Sequence, residues 1–174
     1  MKIYIYVMTF IFFGAAGTTL AAEAKSVPIK TVSENTFRET LDSEVMVGSV
    51  KTVAGEVSVI RNNKTVKVKA GTTLFLHDAI TTGPDGSVGM TFKDNGVLSI
   101  GPKSKVVISD FVFNPERNKF SMITDVLNGS CIYLGGLIAK LKPKSVLFNT
   151  PAATIGIRGT YFAVNVGSNW KLSH

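Results

Sequence analysis

Residues 71–100 read GTTLFLHDAITTGPDGSVGMTFKDNGVLSI, and this stretch decides the fold class. Within it Val88, Met90 and Phe92 alternate with Ser87, Gly89 and Thr91, a period of two that sends successive side chains to opposite faces of a pleated strand. Asp94-Asn95-Gly96 then leads into Val97-Leu98-Ser99-Ile100. An Asn-Gly pair between two such runs is the strongest short-range hairpin signal, and it predicts a two-residue type I′ turn with positive φ at Asn95 and Gly96. Pro84-Asp85-Gly86 supplies turn chemistry on the other side of the Val88 run.

Working outward, the same pattern recurs. Val57 and Val59 alternate with Glu56 and Ser58, Asn62-Asn63 follows, and Val66 and Val68 alternate with Thr65, Lys67 and Lys69. This predicts a hairpin whose lysine-bearing outer face discourages edge pairing. Downstream, Gly101-Pro102, Asn114-Pro115 and Asn128-Gly129 separate the runs 105–113, 119–127 and 130–134, with further runs at 146–149 and 161–166. The best helical candidate is one turn over Leu137 to Leu141. The chain is therefore expected to be all-β, built from short antiparallel strands and hairpins as a sandwich or barrel or a short solenoid-like domain. Asp78, Asp94 and Asp110 are evenly spaced, but their neighbours do not repeat with them, so they define no repeat unit.

The N-terminus is of another kind. Lys2, an apolar run from Ile3 to Phe13, small residues, and then Ala22-Glu23-Ala24 match a secretory signal over residues 1–24, cut near Ala24. The alternative is an uncleaved anchor, since Ile3 to Leu20 approaches a bilayer-spanning length. Residues 25–44 are polar and weakly periodic, a linker or docking arm in which Ser33 caps a short helix through Leu41. The β domain is assigned to 45–174. Export places the protein in the periplasm or outside the cell, with no stable membrane insertion after cleavage. Removing Lys2 and Glu23 from 19 cations and 12 acids leaves 18 and 11, still a formal +7. That charge suits an anionic partner such as an acidic glycan or an acidic protein face, or serves solubility alone, and the compartment argues against nucleic acid.

Two stretches carry a family resemblance. Residues 71–100 contain Asp78-Ala79-Ile80-Thr81-Thr82-Gly83 followed by Gly86, and then Asp94-Asn95-Gly96 with Leu98 and Ile100; residues 150–164 read TPAATIGIRGTYFAV. Together they resemble the FecR domain, over roughly Val45 to Val166. The resemblance implies the periplasmic part of regulators that relay outer-membrane receptor occupancy to a sigma factor. In those regulators a cytoplasmic anti-sigma domain precedes one membrane helix. Only Lys2 and its neighbours precede the apolar segment here, so the expectation is a stand-alone exported version without the transmitting half, ending soon after the Arg-Gly-Thr element.

Candidate sites follow from residue chemistry. Arg158, Gly159, Thr160, Tyr161 and Phe162 combine a cation with aromatics, a pairing typical of interface anchors. The competing reading makes Gly156 and Gly159 tight turns, with Arg158 satisfying carbonyls. Lys64, Lys67 and Lys69 form a second, basic candidate surface. Catalysis has no constellation behind it. His77 and His174 are the only histidines, Cys131 is the only cysteine and lies in an apolar run, and Asp78 and Asp94 each sit in turn contexts. The expectation is a non-enzymatic envelope module without metal or cofactor, binding an envelope or outer-membrane protein. The alternatives are a glycan- or peptidoglycan-binding module and a periplasmic signalling component of an iron-uptake type regulatory system.

Overall fold

The computed structural model describes residues 45–167. The signal sequence expected over 1–24, the expected 25–44 arm and residues 168–174 lie outside the described residues. Within them the order is β1 (Met46–Ala54), β2 (Val57–Arg61), β3 (Lys64–Lys67), β4 (Thr73–Phe75), β5 (Ala79–Thr82), β6 (Ser87–Phe92), β7 (Val97–Ile100), β8 (Lys105–Asn114) and β9 (Lys119–Leu134). Helix α1 (Leu137–Leu141) and a 3-10 turn, Pro143–Ser145, then lead to β10 (Val146–Asn149), β11 (Thr154–Gly156) and β12 (Tyr161–Val166). The fold is all-β, as the alternation predicts.

Strand β9 organises the rest. The main path through the hydrogen-bonded strands runs β3-β2-β5-β8-β9-β7-β6-β1-β4. The first part of β9, up to Asn128, pairs with β8 on one side and with β10 on the other. Its last part, Gly129 to Leu134, pairs with β7 and β12. One strand thus belongs to two layers. The Asn128-Gly129 signal, read as a turn between two strands, is instead a bend inside a single 16-residue strand. Gly129 takes φ +85°, and a Cβ there would fall 2.1 Å from Ser104 Oγ, so the bend needs both the backbone freedom and the absent side chain. The chain continues as a strand because both halves have neighbours to pair with.

The two layers face each other across aromatic contacts. Phe92 of β6 stacks on Phe111 of β8 at 5.6 Å between ring centroids, and Phe148 of β10 lies 5.3 Å from Tyr133 and 5.1 Å from Phe162 of β12. Of the sandwich, barrel and solenoid alternatives, the continuous path of largely antiparallel strands curls into a half-barrel, and these contacts lie between its facing parts. Burial follows the sequence period: Val88, Met90 and Phe92 are buried while Ser87, Gly89 and Thr91 are half-buried. Val47, Leu74, Met90, Leu98, Ile108, Met122 and Phe148 are fully buried, each large side chain contributing about 1.5–3 kcal/mol by leaving water.

Three local expectations differ from what is seen. Asn62 and Asn63 both take positive φ, +49° and +59°, and close the β2–β3 hairpin as a type I′ turn would. At the β6–β7 hairpin only Asn95 does so, at +63°. The loop there has three residues, Lys93 to Asn95, with the Phe92 amide donating to the Gly96 carbonyl at 2.8 Å and the Asn95 amide to the Phe92 carbonyl at 3.1 Å. That is a turn followed by a left-handed residue, not the predicted two-residue type I′ turn. The reason lies in Asp94, whose side chain is drawn inward, as described below. The second difference is Val66, predicted inward, which is 38 % exposed because all four residues of β3 extend beyond the core. The third is the parallel pairing of β10 with β9, made possible by the crossover through α1.

Cys131 is buried on β9, and burial pushes its thiol up to about 11 from an ordinary 9.0. Tyr133 is pushed up to about 12, chiefly by burial and further by the charge of Asp94. Both groups are held protonated by the fold, so above pH 9 the unfolded chain loses protons first and stability falls as pH rises. A decline on the order of 2 kcal/mol between pH 9 and 11 is expected from the thiol, and Cys131→Ala should flatten that slope. Urea unfolding at stepped pH measures it; a Cys131→Ala slope equal to the parent's would contradict the assignment.

Candidate functional site

The acidic residues that the motifs single out are used to build the fold. Asp78 is fully buried and accepts Arg61 Nε on Oδ1 and Arg61 Nη2 on Oδ2, each at 2.7 Å, and the Phe75 amide at 2.8 Å. Arg61 also donates to the Thr73 carbonyl at 2.9 Å and lies 4.3 Å over the Phe75 ring. This bidentate pair ties β2 to β4 and to the start of β5, and the hydrogen bonds that Arg61 donates to Asp78 raise its pKa further. Asp94 is also fully buried. Its Oδ1 accepts the Gly96 amide at 2.9 Å, its Oδ2 accepts the Ile138 amide at 3.2 Å, and its carbonyl accepts the Leu137 amide at 2.8 Å. Helix α1 has no side-chain cap of its own, so the β6–β7 loop caps it across the fold. Neither carboxylate is presented to solvent as a general acid or base would be. Among the described residues no three His, Cys, Asp or Glu side chains gather in a metal-sized group.

The Arg158-to-Phe162 segment divides into two kinds of residue. Arg158, Gly159 and Thr160 lie in the connection between β11 and β12 and are exposed; Tyr161, 64 % exposed, opens β12. Among the described residues the one ion pair is Arg61–Asp78, so Arg158 has no carboxylate partner there. The Thr160 carbonyl accepts the Gly135 amide at 2.9 Å, which ties the start of β12 to the end of β9. Phe162 faces inward onto Phe148 and is a packing residue.

Strand β12 is an edge. It pairs with β9 from Tyr161↔Leu134 to Val166↔Gly129, and no described strand pairs with its other side. Strand β11 likewise ends the opposite layer. A groove of about 650 Å³ separates these edges, with Leu127, Pro151, Ile155, Val164 and Val166 in its walls.

Lys64 and Lys67 sit on β3, at one end of the strand path, whereas β11 and β12 join it through β9 at its middle. Being three apart on a strand they project to opposite faces. Lys69 follows the strand's end, where its amide donates to Thr72 Oγ1 at 3.0 Å.

Gly159 has φ +145°, a conformation that costs a side-chain-bearing residue about 1–2 kcal/mol, although space around it is open. Gly159→Ala is therefore expected to lower stability by that amount, and Arg158→Ala by no more than about 0.5 kcal/mol. Thermal melts rank the two; a larger loss for Arg158→Ala would make the guanidinium a structural donor.

The sequence reading missed a cationic cavity. Lys142, Lys144 and Arg158 line a pocket of about 620 Å³ together with Leu141, Pro143 and Ile157. The signal for it was present: from Val126 to His174 the sequence contains no Asp or Glu, but does contain Lys140, Lys142, Lys144, Arg158 and Lys171.

No curated protein matches the chain. A solved structure described as a cell surface anchoring domain is 30 % identical, aligning over 37 % of this chain and 87 % of its own, with a TM-score of 0.36. The family model described as FecR protein matches residues 78–171. The match begins at the buried Asp78 and includes the Asp94 cap, the bend of β9 and the Arg158-Gly159-Thr160 connection. By that match, which spans more than half of its length, the chain belongs to the FecR family.

Proposed function

We propose that this domain is an exported envelope module that holds a protein partner by strand addition to the open edge of β12, and that it performs no chemistry on that partner. FecR is a regulatory and signalling family associated with the cell envelope, and among the described residues no helix is long and apolar enough to cross a membrane. The observation that carries the proposal is the side of β12 that no described strand pairs, with exposed Tyr161 at its start and Arg158 just before it. An open edge offers a row of amides and carbonyls to an extended segment, and alternate side chains supply selectivity. A periplasmic signalling component of an iron-uptake type system is a second reading, favoured by the family itself, and it uses the same edge. A photoreactive amino acid at Tyr161 or Ala163, activated in intact cells, should give a discrete protein adduct, whereas one at Lys67 should not. Adducts from Lys67 alone would move the interface to β3.

A further inference from the structure

We propose that the cavity between the α1–β10 connection and the β11–β12 connection is a binding site for a small anionic amphiphile. Lys142, Lys144 and Arg158 hold its phosphate or carboxylate, and Leu141 and Pro143 meet its apolar part. Two separate segments bring these cations together, so the fold concentrates like charge where no acid answers it. No Asp or Glu lines the cavity, and no ion pair other than Arg61–Asp78 exists among the described residues. Like charges facing one space raise its potential and attract an anion.

The walls are fixed before any ligand arrives. The Lys142 amide donates to the Ile138 carbonyl at 2.8 Å and the Ser145 amide to the Lys142 carbonyl at 2.9 Å, which sets the turn that carries both lysines. The Ile157 amide donates to the Val146 carbonyl at 3.0 Å, placing Arg158 beside that turn. Lys is a mobile point charge, while the planar guanidinium offers a paired fork to phosphate or carboxylate oxygens. Leu141 is 55 % exposed, an apolar surface left at the rim of a cationic site. A volume of about 620 Å³ suits a small molecule with both a charged and an apolar end.

The site is separate from the backbone edge of β12, and Arg158 is the one residue the two share. The test therefore leaves Arg158 unchanged. Calorimetric titration of the purified chain with hexyl phosphate should give binding about tenfold tighter than inorganic phosphate, and hexanol should not bind at these concentrations. Lys142→Ala/Lys144→Ala should weaken hexyl phosphate at least about tenfold, Lys142→Arg/Lys144→Arg should retain it, and Lys64→Ala/Lys67→Ala should leave it unchanged. The four lysines are exposed, and an unchanged melting curve verifies that each variant folds. Phosphatidylglycerol vesicles that displace hexyl phosphate would make the natural ligand a lipid headgroup; failure to displace it would make the ligand a soluble molecule, and both results support the site. Equal affinity for inorganic and hexyl phosphate would overturn the amphiphile assignment. Loss of equal size in the Lys64/Lys67 variant, or none in the Lys142/Lys144 variant, would overturn the site.

Discussion

Asp94→Ala is expected to cost about 3 kcal/mol of stability and to release α1 from the sheet. The carboxylate accepts the Gly96 and Ile138 amides in a fully buried place. A buried amide left without a partner costs about 1–3 kcal/mol, and two are stranded at once. A five-residue helix has no stability of its own, so losing the tertiary cap removes what holds its first turn. Asp94→Asn keeps the shape and one acceptor oxygen and should lose about half as much. Urea unfolding of the three proteins measures the series. A loss below about 1 kcal/mol in Asp94→Ala would show that the loop holds α1 by other means.

The second large effect is expected at Phe148→Ala, at about 3–5 kcal/mol. Phe148 is fully buried between Tyr133 and Phe162 and so joins β10 of one layer to β9 and β12 of the other. Truncation opens a cavity where the layers meet and removes both ring contacts. Phe162→Ala, at a partly buried position, should cost less. Hydrogen exchange adds a functional readout: in Phe148→Ala the amides of Tyr161 to Val166 should lose protection before those of β6 and β7, because among the described strands β12 pairs on one side only. Uniform loss of protection across both layers would mean that β12 does not open independently.

The all-β class was legible because one face of most strands is buried, and that condition writes a period of two into the residues. Residues 87–92 show it without interruption. Turn type was less legible. Asn62-Asn63 behaves as its residues dictate because nothing else in the fold competes for it, whereas at Asp94-Asn95-Gly96 the buried carboxylate serves the backbone of α1, distant in sequence, and the loop takes the form that allows this. Asn128-Gly129 carries the same dipeptide chemistry as a hairpin turn, yet pairing partners on both sides keep β9 continuous through it. No local signal separates those outcomes. For the candidate site, Arg158 and Tyr161 were proposed from residue type and are exposed, while Phe162 was grouped with them because alternation alone does not say which face of β12 is covered. The cationic cavity escaped notice because its lysines and Arg158 are apart in sequence and converge only through the β10–β11 hairpin.

Proline substitution through β12 tests the proposed edge most directly. Along an antiparallel strand alternate residues direct their amides toward β9 or toward the open side, so within each adjacent pair from Tyr161 to Val164 one proline removes a β9 hydrogen bond and the other removes only an outward donor. With the photo-captured partner in hand, the outward-facing prolines should abolish capture while circular dichroism and the melting curve stay close to those of the parent. Capture that survives every such proline, but is lost when Lys64, Lys67 and Lys69 are neutralised, would contradict strand addition and place the binding surface on β3 and the residues just after it.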